Sequence, residues 1–238
     1  MGYVEDVAQL QSLIKLEGSP VGVWYADLPP SNARELQPEV ACQSLQEARY
    51  GAVVAISGDN SRCIGGSAWL GLVDPPTYVY AFLAEIEKSF ADRCAAATFL
   101  NAIPTPPTHA GKYVIMAPID KCERAPSLVL FVCSPEQAAR LLGLHAFRRG
   151  APARLYSYAA ACSAAIGIPM RTSELNVCFI DNAARNIAQF ASSELIVSVP
   201  FGDLHNMAES IENCIWGTAK VLFHAEEEKL KGDWHLPR

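Results

Sequence analysis

The sequence predicts a mixed α/β (α+β) fold, a mixed sheet with helices on its faces. Three observations predict it. Half of the 238 residues are hydrophobic and only 18% are charged, which supplies a sizeable core and argues against disorder. Short apolar runs rich in β-branched residues alternate with segments of helical spacing. The connections between them vary in length, unlike those of a regular doubly wound sheet.

Taken in chain order, residues 4–16 place Val7, Leu10, Leu13 and Ile14 on one helical stripe, and Gly18 closes the segment. Val21-Gly22-Val23-Trp24-Tyr25 reads as a strand, and Pro29-Pro30 breaks the chain. Residues 40–50 look helical and carry Cys42; Gly51 stops them, and residues 52–56 read as a buried strand. Residues 78–100 form the longest helical pattern, with Ala95-Ala96-Ala97 permitting close packing and Pro104, Pro106 and Pro107 ending it. Residues 113–116 and 128–132 are strands. Ser134-Pro135-Glu136-Gln137 starts a helix that runs to about Phe147, with proline at its first position. Residues 154–158 read as a strand, and residues 159–165 form a small-residue run around Cys162. Strands are expected at 176–180 and 194–199, helices at 203–216 and 217–230, and a loose tail over the last eight residues.

No low-complexity linker divides the chain, so residues 1–238 read as one domain. The proline-rich stretch 104–107 suggests pseudo-repeat halves of about 1–103 and 108–238. Each half carries a spaced pair of cysteines, and Ala41-Cys42-Gln43-Ser44 sits at a place comparable to Ala161-Cys162-Ser163-Ala164. Halves packed about an internal two-fold axis would bring the pairs together.

The net charge is −6, and Arg148-Arg149 is the one short basic cluster, so nucleic-acid binding is not expected. The start, Met1-Gly2-Tyr3-Val4-Glu5-Asp6, has no basic segment followed by an apolar one, and no run of eighteen apolar residues occurs. Both point to a cytoplasmic protein without a membrane span. Homo-oligomerisation is left open.

In a reducing compartment, eight cysteines do not imply disulfides. Cys133 belongs to a buried strand, and Cys94 and Cys214 read as helix packing. Cys122 stands in a charged loop and reads as exposed. Cys42, Cys63, Cys162 and Cys178 differ, because each lies near an element end or beside small residues. Cys63 precedes Gly65 and Gly66, where backbone amides can approach a ligand closely, and a helix starting there would favour the thiolate, the form that binds metal. Four thiolates can hold an iron–sulfur cluster or a tetrahedral zinc ion. The spacings, Cys-x20-Cys and Cys-x15-Cys, include no tight Cys-x2-Cys pair.

Other chemistry has less support. No phosphate-binding glycine loop, dinucleotide turn or nucleophile elbow is present. His109, His145, His205, His224 and His235 are far apart in sequence, and His205 and His224 read as helix-surface residues. Trp24, Tyr25, Trp69, Tyr156 and Tyr158 read as core aromatics that could line a pocket.

A set of ordered segments carries a family resemblance: Pro20-Val21-Gly22-Val23, Ala41-Cys42-Gln43, Cys63-Ile64-Gly65-Gly66 with Leu70-Gly71-Leu72, and Met116-Ala117-Pro118-Ile119. Residues 126–138, Cys162-Ser163-Ala164-Ala165-Ile166 and residues 194–200 follow in the same order. The chain resembles, over nearly its whole length, the uncharacterised family called domain of unknown function 169. The resemblance implies one domain family and no established activity. It also implies cysteines at Cys42, Cys63, Cys162 and Cys178 and none at Cys94, Cys133 or Cys214. The family tends to have a glycine ahead of an arginine soon after the last cysteine, whereas this chain reads Asp181-Asn182-Ala183-Ala184-Arg185.

The leading expectation is a cytoplasmic protein that binds a [4Fe-4S]-type cluster through Cys42, Cys63, Cys162 and Cys178, with Gly65 and Gly66 against it, in a redox, electron-transfer or sensing role. Its partner would be a redox protein or a small-molecule ligand. The alternatives are a structural zinc site on the same cysteines, an enzyme using Cys63 as nucleophile on a small molecule, and a non-catalytic interaction subunit.

Overall fold

The computed structural model describes residues 2–220 other than Glu39 and Ala159, with Glu35 placed by its backbone alone. Most of the helix expected over 217–230, the expected tail, His224 and His235 lie outside the described residues.

Among the described residues, seven strands form one sheet: β1 (Val21–Ala26), β2 (Arg34–Glu35), β3 (Val54–Ser57), β4 (Tyr113–Pro118), β5 (Leu128–Cys133), β6 (Asn176–Cys178) and β7 (Leu195–Pro200). Their order is β2-β3-β4-β1-β5-β7-β6. The two-residue β2 runs parallel to β3, and every other pair is antiparallel, so the sheet is mixed as expected. Strand alternation separates two faces. Val21, Val23, Leu128 and Leu130 point to one face, where they meet α2 (Cys42–Arg49), α3 (Ile64–Trp69), the π-helical turn Cys162–Gly167 that continues into α7 (Ile168–Thr172), and α8 (Asn182–Ile187). Val129, Phe131, Val197 and Val199 point to the other face, against α1 (Tyr3–Ile14), α6 (Pro135–Arg149) and α9 (Phe201–Glu209).

The strand order repeats. Outward from the centre, β1, β4 and β3 follow one another on one side, and β5, β7 and β6 on the other. Setting aside the two-residue β2, which lies outside β3, the first strand in sequence of each set is innermost, the last is next, and the middle one is third. β1 and β5 meet antiparallel, Gly22 opposite Val129, so the two strand sets run outward from one central antiparallel pair. The two strand sets lie on either side of the segment between β4 and β5.

Several expected elements change in the folded chain. The helical pattern of residues 78–100 breaks in two. A short α4 (Val79–Ala81) runs into a π-helical turn, Phe82–Ile86, and then α5 (Arg93–Ala102) begins. The break falls at Lys88, whose φ of +63° is left-handed, and Asp92 restarts the helix by accepting the Ala95 amide hydrogen at 2.8 Å. Residues 154–158 form no strand. There Tyr156 exchanges hydrogen bonds with the Asn176 side chain, its N–H donating at 2.9 Å and its carbonyl accepting at 3.2 Å. The helix expected at 203–216 covers only Phe201–Glu209 before giving way to turns. The start of α6 is as expected: Ser134 and Gln137 form a reciprocal capping box with Pro135 inside it.

Among the described residues, no helix is long and apolar enough to cross a membrane.

Candidate functional site

Two strand ends and two helix starts bring four cysteines to one face of the sheet. Cys42 is the first residue of α2, and Cys162 is the first residue of the helical segment running to Thr172. α2 precedes β3 and the second helix precedes β6, the third strand out from the centre in each set. Cys63 follows β3 and is the N-cap of α3, and Cys178 ends β6 just before α8. The strand-order repeat therefore maps Cys42 onto Cys162 and Cys63 onto Cys178. Cys42 and Cys178 are part of one buried cluster, and Cys63 and Cys162 pack against it.

The electrostatics of the thiols express that proximity. Burial pushes the Cys42 thiol well above its ordinary range, and Asp181, Cys63 and Cys178 push it the same way. Burial likewise raises Cys162, with Cys63, Cys42, Asp181 and Cys178 all adding to the shift. Cys178 is pushed up to about 12, chiefly by burial and further by Asp181, while the Ile180 amide and Arg185 act against the shift. Burial and the neighbouring charges thus favour the neutral thiol at Cys42, Cys162 and Cys178.

Two of the sulfurs accept backbone amide hydrogens. Gly66 donates to Cys63 Sγ at 3.1 Å, and Ile180 donates to Cys178 Sγ at 3.3 Å. The first bond depends on the glycine. A Cβ on residue 66 would stand 2.5 Å from Ala41 Cβ and 3.0 Å from Cys63 Sγ, so only glycine lets α3 lie against the start of α2. Gly65 is different: a Cβ there would meet Trp69 at an ordinary 3.5 Å. The second bond depends on a strained turn. Ile180 has a φ of +59°, an uncommon conformation for a β-branched residue, and is buried.

Asp181 was not among the residues singled out from sequence. It caps α8 by accepting the Ala184 amide hydrogen at 2.7 Å, and it also accepts the Ala161 amide hydrogen at 3.1 Å. Its signal was an aspartate followed by three helix-compatible residues, the pattern of an N-cap. Tyr158, one of the aromatics read from the sequence as able to line a pocket, packs against the same cluster. Burial raises its hydroxyl pKa, as do Cys162 and Cys178, and its ring meets Phe99 of α5 edge-on at 5.0 Å.

The remaining cysteines sort largely as expected. Cys133 and Cys214 are buried in the core layer of the opposite face. Cys94 corrects the expectation of helix packing, because the neighbouring Ala96 turns inward and Cys94 is exposed. Cys122 is also corrected. Instead of lying exposed in its loop, it is half-buried, with Sγ 3.5 Å from the Pro118 carbonyl oxygen and tucked over Gly22. Trp24 and Trp69 are core residues, Tyr25 donates to the Leu70 carbonyl at 2.8 Å, and Tyr156 is exposed rather than core.

Among the described residues, no three histidine, cysteine or carboxylate side chains are grouped closely enough to share a single metal ion. A tetrahedral zinc at about 2.3 Å from each sulfur needs thiolates within about 4 Å of one another. A multi-iron cluster gives each thiolate its own iron and so holds its ligands further apart.

The family model for domain of unknown function 169, described as an uncharacterised ArCR, matches residues 9–210, and the chain belongs to that family. The matched span contains all four cysteines and Asp181. No curated protein and no solved structure matches the chain.

Proposed function

We propose that this member of the domain of unknown function 169 family binds a [4Fe-4S]-type cluster through Cys42, Cys63, Cys162 and Cys178, and acts in the cytoplasm in a redox, electron-transfer or sensing role. One observation carries the reading: two topologically equivalent strand sets each deliver a cysteine pair to the same buried layer, where Cys42, Cys63 and Cys178 lie near enough to Cys162 to raise its pKa. Core packing alone gives no reason for four thiols to coincide across the two sets.

The donor chemistry fits such a group. Thiolates are the ligands of iron–sulfur clusters, and cation binding offsets the desolvation that favours the protonated form at Cys42, Cys162 and Cys178, with release of their protons. The amide hydrogens of Gly66 and Ile180 already point at two sulfurs. Hydrogen bonds to cluster sulfur, together with burial, are the levers by which a protein sets a cluster's potential. When bound, the cluster would supply one-electron chemistry, and the chain would hold it in a largely dry layer. A structural zinc site draws on the same donors but requires closer sulfurs.

The test is a set of single substitutions under anaerobic purification. Cys42→Ser, Cys63→Ser, Cys162→Ser and Cys178→Ser each lose bound iron, while Cys94→Ser retains it. Iron retained in all four, or lost in Cys94→Ser, would sink the assignment.

A further inference from the structure

We infer that Asp181 is the positioning residue that sets Cys162 and Cys178 against each other, an inference that rests on the cluster reading above. Asp181 lies three residues after Cys178, and Ala161 lies immediately before Cys162. One carboxylate therefore ties the two neighbourhoods together: Oδ2 accepts the Ala161 amide hydrogen at 3.1 Å and Oδ1 accepts the Ala184 amide hydrogen at 2.7 Å.

The surrounding turn is built to hold that carboxylate in place. Ile180 adopts its left-handed φ of +59°, and its amide hydrogen turns back to Cys178 Sγ at 3.3 Å. Arg185, one turn into α8, donates to the Phe179 carbonyl at 2.8 Å and the Glu194 carbonyl at 3.0 Å, fixing the turn from outside. The backbone of residues 178–181 is thus held at both of its middle residues. A strained, clamped turn serves to aim the groups on either side of it, here a sulfur and a carboxylate.

Comparison of the halves sharpens the point. In the first half, Cys63 itself caps α3 through its sulfur, so one residue both faces the site and starts the helix. In the second half those jobs are split between Cys178 and Asp181. The extra residue gives the second half a carboxylate with a free oxygen, and that oxygen reaches the Cys162 helix. A carboxylate beside Cys42, Cys162 and Cys178 is electrostatically unfavourable for ligand thiolates, so its presence there calls for a geometric role, which the two amide contacts supply. Neither serine nor asparagine does the same: serine offers one oxygen, and asparagine would face one of the two amide donors with its own NH2 group.

Two variants separate positioning from helix capping. Asp181→Ser keeps an oxygen able to cap α8 but releases Ala161. Ala161→Pro removes the gripped amide hydrogen at a residue whose φ of −60° suits proline and leaves the α8 cap in place. Bound iron is measured after anaerobic reconstitution, and alkylation of each cysteine is measured by mass spectrometry on iron-free protein, with far-UV circular dichroism as the folding control. Both variants are expected to stay folded, to bind iron about 10–100-fold more weakly as loss of an orienting partner does, and to alkylate faster at Cys162 with Cys42 and Cys63 unchanged. Wild-type iron binding and a wild-type Cys162 rate in Asp181→Ser would overturn the inference. So would wild-type behaviour of Ala161→Pro beside a defective Asp181→Ser, which would make Asp181 a helix cap only. If Asp181→Ser does not fold, Ala161→Pro decides alone. A wild-type protein that takes up no iron would fail the cluster reading instead, and the alkylation rates would then decide the role of Asp181.

Discussion

Arg49 reaches across the molecule to Glu194, their charged atoms 2.6 Å apart with both side chains largely buried. Arg49 ends α2 in the first half, and Glu194 leads into β7 in the second. The same guanidinium donates to the Glu17 carbonyl at 3.2 Å, so one arginine ties the helix that carries Cys42 to the opposite half. Breaking a buried pair by removing one partner strands the other charge, at about 3–5 kcal/mol. Arg49→Met should lower unfolding free energy by about that much in urea titrations, and Arg49→Met with Glu194→Gln should recover part of the loss. Additive losses in the double variant would show the pair is not coupled.

Gly66→Ala tests the close approach of α3 to α2. The added methyl would meet Ala41 Cβ at 2.5 Å and the Cys63 sulfur at 3.0 Å. Overpacking of this kind costs about 1–3 kcal/mol. The same change at Gly65, with nothing nearer than 3.5 Å, should leave stability unchanged or raise it slightly, since alanine favours a helix. Denaturant midpoints of the two variants check the contrast, and equal effects would contradict it.

Asn176 holds the approach to the Cys162 helix. Its Nδ2 donates to the Ala164 carbonyl at 2.7 Å and the Tyr156 carbonyl at 3.2 Å, and its Oδ1 accepts from the Tyr156 amide at 2.9 Å. Asn176→Ala leaves those backbone groups unpaired, at about 1–3 kcal/mol for each that stays buried. Hydrogen exchange should speed up at Tyr156 and leave the α6 amides unchanged. Unaltered exchange at Tyr156 would contradict the assignment.

Much of this was legible beforehand, and the gaps have physical causes. β1, β3, β4, β5 and β7 fall within about two residues of the apolar runs that predicted them, because strands buried on both faces read as continuous hydrophobic stretches. The four site cysteines stood out because ends of elements and small neighbours mark places where backbone comes close. The split of the long helix was hidden, because Lys88 carries no sequence signature of a left-handed residue. Residues 154–158 have strand-like composition but pair with a side chain, which local pattern does not reveal. Cys94 shows the limit of alanine-rich context: Ala96, two residues on, points inward, and a helix turns Cys94 away from it. Asp181 was readable as a cap, but its second bond, to Ala161 twenty residues earlier, appears only in three dimensions.

Alkaline pH gives a test apart from the metal. Burial pushes both the Tyr25 hydroxyl and the Cys133 thiol up to about 12. Each is neutral when protonated, and the folded state holds the proton more tightly than the unfolded one. The stability they contribute is complete below the unfolded values, about 10 for a phenol and about 8.5 for a thiol, and is lost as pH rises from there towards 12. Tyr25→Phe with Cys133→Ala should flatten the decline of unfolding free energy across that window. A decline as steep as that of the wild type would contradict the prediction.

The central claim is tested most directly by purifying the full chain without oxygen, recording its absorption spectrum and counting its iron. The account predicts a brown protein with a broad band near roughly 400 nm and about four irons per chain, bleached by reductant, as a cubane cluster held by four cysteines requires. A colourless protein that stays free of iron after reconstitution with iron and sulfide would contradict it.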